Sequence, residues 1–407
     1  MRASPSIITC DNAKVNWVAG VRRLAANLIK DCTRAATEAS YVGLNCRRRT
    51  EPEPVLKSTA ICASSDRHVN MKLVIHAGFG KTGSSAIQEA LHVYSAELER
   101  DGIRKIGGDL TFDQPGIPQW LVEEACDRGE VLAERLDREI KRVAPPVTVL
   151  SAENLESANK PRLFSGIDRE IDTIVVLYMR PQFQWIPSAW KQWYMKDATS
   201  LRAFVERCLT TGMPNCLASL NAWRAALPRA RVIVRPLGPT LVGGGIVSDF
   251  FDLIGSSVSP LDLRANEGID YSLIHLMAKG ARDLFSGYHD VELETRLLTV
   301  LPDEYKRANA PMLDPLTAQN IAKRFRKENL QILNEFSDIS EPALFLDRHW
   351  RPEVNQTSYL EMTDAEMTSR GLAILRQIGP NGLEGFAIQP DDCNLDGALE
   401  TMVSTNS

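Results

Sequence analysis

Leu73-Val74-Ile75-His76-Ala77-Gly78-Phe79-Gly80-Lys81-Thr82-Gly83-Ser84-Ser85 reads as a short β-branched strand running into a glycine-rich turn, with a helix taking over near Ala86. Gly78, Gly80 and Gly83 permit positive φ and close backbone approach. The free amides at a helix start point at whatever sits in the loop, and the helix dipole favours negative charge there. Lys81 adds a full positive charge. Thr82, Ser84 and Ser85 carry hydroxyls able to donate to phosphate or sulfate oxygens, and either serine is a candidate helix cap. Together these residues predict an anion cradle rather than a plain capped turn.

Working outward, the same strand-to-polar exit recurs three times. Val147-Thr148-Val149-Leu150 leads to Ser151-Ala152-Glu153, Thr173 to Met179 leads to Arg180, and Val232-Ile233-Val234 leads to Arg235-Pro236. Between the strands, Ile87, Ala90, Leu91, Tyr94 and Leu98 fall at helical spacing, as do Leu132, Leu136, Ile140 and Val143. Strands alternating with amphipathic helices predict an α/β fold, a three-layer α/β/α arrangement around a central parallel sheet. Beyond about Asn266 the chain reads as mostly helical, most clearly over Tyr271 to Phe285 and Leu316 to Phe336. In open α/β sheets ligands bind beyond the carboxyl ends of the strands, so the polar exits are where chemistry is expected.

Composition narrows the partners. With 44% hydrophobic and 24% charged residues the chain is an ordinary globular sequence, and its net charge of −5 gives no general attraction for nucleic acid. The longest apolar run in the core, Ile174 to Met179, is far below the roughly 18 residues of a membrane span. The eight cysteines form no C-x-x-C pair and show no metal-ligand spacing with the six histidines, which predicts free thiols, a reducing compartment and a cytoplasmic location. No metal site is expected.

Residues 1–70 differ from the rest. They carry eleven Lys/Arg against six Asp/Glu, four of the eight cysteines and the Arg47-Arg48-Arg49 run. Val15 to Lys30 has the pattern of a short basic amphipathic helix, as in a transit peptide, without the long apolar region of a secretory signal. The expectation is an extension outside the fold over 1–70, a folded domain over 71–390 and a fraying polar tail over 391–407.

Which anion the loop takes depends on details. The ATP-type pattern G-x-x-x-x-G-K-S/T would require glycine at position 75, which is Ile75. What stands instead, Gly78-x-x-Lys81-Thr82-Gly83-Ser84-Ser85, resembles the 5′-phosphosulfate loop of sulfotransferases that use 3′-phosphoadenosine 5′-phosphosulfate (PAPS). Arg180 at a strand exit with Ser188 eight residues on resembles the 3′-phosphate motif of the same family, a guanidinium fork and a hydroxyl converging on one phosphate. From Lys72 to Gly268 the order of elements is similar to that of bacterial-type sulfotransferases.

The resemblance implies a P-loop-like fold and sulfuryl transfer from PAPS, without a metal, to a hydroxyl or amine acceptor such as a carbohydrate or glycolipid. It implies Lys81 as a catalytic clamp and leaving-group partner. The cofactor-binding residues it implies are Gly78, Lys81, Thr82, Gly83, Ser84, Ser85, Arg180 and Ser188. Glu153, just past a strand, is the candidate base, matching the glutamate of the carbohydrate-modifying branch. His76 is a weaker candidate for a second acid or base. Arg264-Ala265-Asn266-Glu267-Gly268 falls where the family returns a late loop to the nucleotide. The acceptor is expected among the helices after Asn266 and the loops between Gly107 and Trp120. Two other readings stay open: a kinase or P-loop NTPase using Mg-ATP, with Ser151-Ala152-Glu153 as a degenerate metal-binding strand end, and a nucleotide-binding module without catalysis.

Overall fold

The computed structural model describes residues 71–238, 241, 245–260, 268–306, 312–352 and 362–378. The expected N-terminal extension over 1–70, the tail over 391–407, the last stretch assigned to the domain, 379–390, and the late-loop residues 264–267 lie outside them.

Five strands form one all-parallel sheet: β1 (Lys72–Gly78), β2 (Ile103–Lys105), β3 (Val147–Glu153), β4 (Asp172–Met179) and β5 (Arg231–Pro236), in the order β2-β3-β1-β4-β5. The helices used below are α1 (Ser84–Val93), α2 (Ser95–Arg100), α3 (Gln119–Arg128), α4 (Ala133–Val143), α5 (Gln182–Gln192), α6 (Leu201–Thr211), α7 (Cys216–Ala226), α8 (Ile246–Ile254), α9 (Tyr271–Lys279), α10 (Ala281–Leu284), α11 (Glu292–Val300), α12 (Pro315–Phe336), α13 (Pro342–His349) and α14 (Asp364–Ile378).

Side chains alternate across a strand, and the sheet is buried on both faces, so the strands read as continuous apolar runs. Leu73, Ile75 and Ala77 of β1, with Val175, Leu177 and Met179 of β4, pack on one face against Leu136 and Ile140 of α4, Leu220 and Trp223 of α7 and Leu333 of α12. Val74, Val176 and Tyr178 turn the other way, onto Ile87 and Leu91 of α1 and Phe250 and Phe251 of α8. A third cluster joins Trp185, Ile186 and Trp190 of α5 to Phe204 of α6, Leu273 and Met277 of α9, Leu297 of α11 and Phe325 of α12, giving the expected helical C-terminal part. Each such large side chain contributes roughly 1.5–3 kcal/mol when fully buried.

The long helix α12 serves both cores, and the sequence starts it cleanly. Asp314 caps it by accepting from the Thr317 amide at 2.8 Å, and Pro315 occupies the first turn, where its missing N–H costs nothing. Buried Asn329 on α12 exchanges two 2.8 Å amide hydrogen bonds with Gln182, fixing the start of α5 just after the β4 exit.

Three expectations need correcting in detail. β2 was not among the predicted strands: it is three residues long, two of them charged, and pairing with β3 outweighs its poor propensity. β3 does not stop at Leu150 but runs through Ser151 and Ala152 to Glu153. Tyr271 to Phe285 is not one helix, since α9 ends at Lys279 and α10 begins after Gly280.

Candidate functional site

β1 lies between β3 and β4, and the chain passes from one side of it to the other on going from β3 to β4. That is a topological switch point, where parallel sheets open a crevice at their carboxyl edge. In register Gly78 stands opposite Glu153 of β3, while β4 ends one residue before Arg180. The phosphate-type loop therefore leaves the sheet with the carboxylate on one side and the guanidinium on the other.

The loop is held in a conformation most residues avoid. Lys81 has φ 65°, which for a residue with a Cβ costs roughly 1–2 kcal/mol, and Gly83, at φ 90°, takes the first capping position of α1. The amides of Gly80, Lys81, Gly83, Ser84 and Ser85 donate to no described residue. Such a run of unmatched N–H groups around a left-handed residue is an anion nest. A Cβ on Gly78 would stand 2.9 Å from Ser84 Oγ and 3.0 Å from the Ala152 carbonyl oxygen, and one on Gly80 would stand 2.6 Å from the Trp193 ring. Both positions are closed to a larger residue without movement.

The hydroxyls do not cap the helix. Buried Thr82 and Ser84 both donate to the Phe79 carbonyl, at 2.6 and 3.2 Å, and Ser85 donates to Glu153 Oε1 at 3.0 Å. The first two bonds brace the turn. To donate to an anion these hydroxyls would have to rotate, so the nest amides and Lys81 are the donors already in place.

α5 closes the other wall. Arg180 donates from Nη1 to the Lys81 carbonyl at 3.0 Å and approaches Gln184 Oε1 at 3.5 Å, while Lys81 Nζ donates to Gln192 Oε1 at 3.1 Å. Gln184, Ser188 and Gln192 are four residues apart on one helix, so they share a face. Ser188 thus sits between the side chain that meets Arg180 and the one that meets Lys81. Trp185 Nε1 donates to the Gly80 carbonyl at 2.8 Å, and Trp193 packs on Gly80. Of the aromatics after Arg180, Trp190 bonds to the Thr199 carbonyl and Tyr194 stacks on Phe204 with centroids 4.1 Å apart, so these two serve packing.

Among the described residues Lys81 and Arg180 bond to neutral partners. Burial lowers the affinity of Lys81 for its proton, and Lys191 and then Arg180 lower it further, against opposing pulls from Glu294 and Glu153. Burial also disfavours the charge on Arg180, whose Nε is buried without a partner. Lys191 is committed to Glu294 at 2.5 Å. An anion seated in the nest would satisfy the free amides and the Lys81 ammonium together, so these residues fit a phosphate or sulfate group.

His76 is not an acid or base for this crevice. It is wholly buried on β1, with Nδ1 2.8 Å from Ser151 Oγ and its ring against Phe250 and Tyr178. Burial pushes its pKa down to about 3, so it is neutral in ordinary buffers. Glu153, by contrast, is partly exposed at the end of β3. Gln184 and Gln192 escaped the sequence reading, although their signal was present in the four-residue spacing after Arg180.

Comparison with protein-family models, with curated proteins and with solved structures finds no match for this chain.

Proposed function

We propose that the chain is a sulfotransferase of P-loop-like fold, acting in the cytoplasm, that moves a sulfuryl group from PAPS to a hydroxyl or amine acceptor. The observation that carries the reading is the order across three adjacent strand ends: Glu153, then the Lys81 loop, then Arg180. Bound there, PAPS supplies the sulfuryl group and leaves as adenosine 3′,5′-bisphosphate. The nest amides and Lys81 hold the phosphosulfate end, and Arg180 with Ser188 holds the 3′-phosphate.

Glu153 removes the acceptor proton as the acceptor oxygen bonds to sulfur. The bridging S–O bond breaks, its electron pair stays on the phosphate oxygen, and Lys81 with the nest amides stabilises that charge. The acceptor then approaches from the β3 side, with a carbohydrate or glycolipid hydroxyl as the class tested first.

The test is calorimetric titration of the full chain with adenosine 3′,5′-bisphosphate and, separately, Mg-ATP, in wild type, Lys81→Ala and Arg180→Ala. Metal-independent bisphosphate binding that is weakened in both variants is the expected result. Selective Mg-ATP binding would overturn it in favour of a kinase, and bisphosphate binding with no turnover on any acceptor would favour a binding module.

A further inference from the structure

Pro181 turns the chain from the end of β4 into α5. Gln184 and Gln192 of that helix meet Arg180 and Lys81, whereas Pro181, Gln182 and Phe183 at its start line a separate cavity, closed on its other sides by α12 and α13. The cavity measures about 180 Å³.

Its walls are fixed by bonds that leave no polar group of their own unsatisfied. Gln182 and Asn329, both buried, spend their amides on each other in two 2.8 Å hydrogen bonds. Trp350, only 4% exposed, donates from Nε1 to the Leu237 carbonyl at 3.1 Å, just past β5, so its ring cannot swing away without losing that bond. With Phe183, Leu346 and Pro352 it makes one side of the cavity apolar.

The rest of the lining is cationic. Arg326 spends both of its Nη groups on the two Asp347 carboxylate oxygens, at 2.6 and 3.1 Å, and is neutralised. Lys323, three residues before it on α12, and Arg351, beside Trp350, also line the cavity. Neither makes an ion pair or hydrogen bond with a described residue, so two positive charges stand unmatched beside an apolar wall. A cavity of about 150 Å³ holds a benzene molecule, so the space here takes one ring and a small substituent. An inorganic anion would leave the apolar wall wet, and two exposed cations attract it only weakly through water. An uncharged ring would leave both cations without a partner.

We propose that this cavity is a second ligand site, which takes a monocyclic aromatic anion with its ring on the Trp350 wall and its carboxylate, sulfate or phosphate group toward Lys323 and Arg351. The site is distinct from the Lys81 loop and does not depend on that loop taking PAPS.

The test titrates the full chain, labelled with nitrogen-15 at tryptophan, with phenyl phosphate and with benzoate, and follows the indole N–H resonances by NMR. Inorganic phosphate serves as the probe with charge and no ring, phenol as the probe with a ring and no charge. The Trp350 resonance, identified by its absence in Trp350→Phe, is expected to shift saturably with both aromatic anions. Phenol and inorganic phosphate should each bind about tenfold more weakly or worse, since each lacks one of the two contributions. Reversing the exposed cations together, Lys323→Glu with Arg351→Glu, should weaken the aromatic anions at least about tenfold. Lys81→Ala should leave the Trp350 titration unchanged. No shift of Trp350 with either aromatic anion overturns the proposal, as does inorganic phosphate binding as tightly as phenyl phosphate, which would reduce the cations to a solvated surface. A Trp350 response lost in Lys81→Ala would assign the probe to the loop and overturn it too. If Trp350→Phe fails to fold, calorimetry of benzoate on wild type and on the doubly reversed surface variant decides.

Discussion

The two flanks of the loop carry opposite charge although they rise from adjacent strands of one sheet. On the β4 side Arg180 bonds to the Lys81 carbonyl and approaches Gln184, and Lys81 bonds to Gln192, so among the described residues their side-chain hydrogen-bond partners are neutral. On the β3 side the charges of Glu153 and Glu123 both act on Glu156, and Lys160 is paired with Glu123. The difference gives the crevice a direction. On the proposed reading, a donor with two anionic ends would be drawn to the β4 flank and repelled from the β3 flank, leaving the carboxylates to a neutral or cationic acceptor.

The largest break in that polarity is Glu153→Gln, which keeps shape and the bond from Ser85 but removes the proposed base. A general base contributes about 10²–10⁴ in rate, so kcat should fall by that factor while bisphosphate affinity stays within about twofold of wild type. Equal losses of kcat and binding would mean that Glu153 supports the loop rather than the acceptor. On the basic flank, Lys81→Ala should lower kcat by about 10²–10³, the cost of one lost charge-stabilising donor, and should weaken the bisphosphate as well. A smaller effect is expected of Arg180→Lys. The charge survives but the planar fork is lost, so bisphosphate should bind about tenfold more weakly by calorimetry. Unchanged affinity would confine Arg180 to holding the Lys81 carbonyl.

How much of this was legible in the sequence differs between the flanks. Loop, strands and sheet class followed from local patterns: β-branched runs, glycines and a lysine at a helix start. Arg180 and Glu153 were legible because each sits at or just beyond a strand end, where chain direction alone fixes their side of the sheet, and Ser188 because of its eight-residue spacing from Arg180. Two things were not. β2 is held by pairing with β3 rather than by its own residues. The partners of Glu156, from α3 and α7, are brought to it only by tertiary packing, and the letter E three residues after another E carries no trace of burial. His76 misled for the converse reason, since its position in the sequence beside the loop conceals that β1 turns its ring into the apolar layer under α1 and α8.

The smallest expected effect is a cancellation between two groups whose shifts run in opposite senses, His76 on β1 and Glu156 on the acidic flank. The pKa of His76 is depressed from 6.5 to about 3, so the stability tied to its neutral form is complete above about pH 6.5 and is lost as pH falls toward 3. That of Glu156 is raised from 4.5 to about 7, so the stability tied to its protonated form is complete below about pH 4.5 and is lost as pH rises through 7. Between pH 6.5 and 4.5 the unfolded chain gains a proton at the histidine while the native state gains one at Glu156, and the two slopes oppose. Thermal melts should therefore show little net contribution from this pair across that window. Glu156→Gln removes one slope and leaves the other, so relative to wild type it should lose about 1.4 kcal/mol of stability per unit of acidification, a few degrees in Tm. A variant whose melting curve runs parallel to that of wild type across the window would show that Glu156 titrates as an ordinary surface carboxylate.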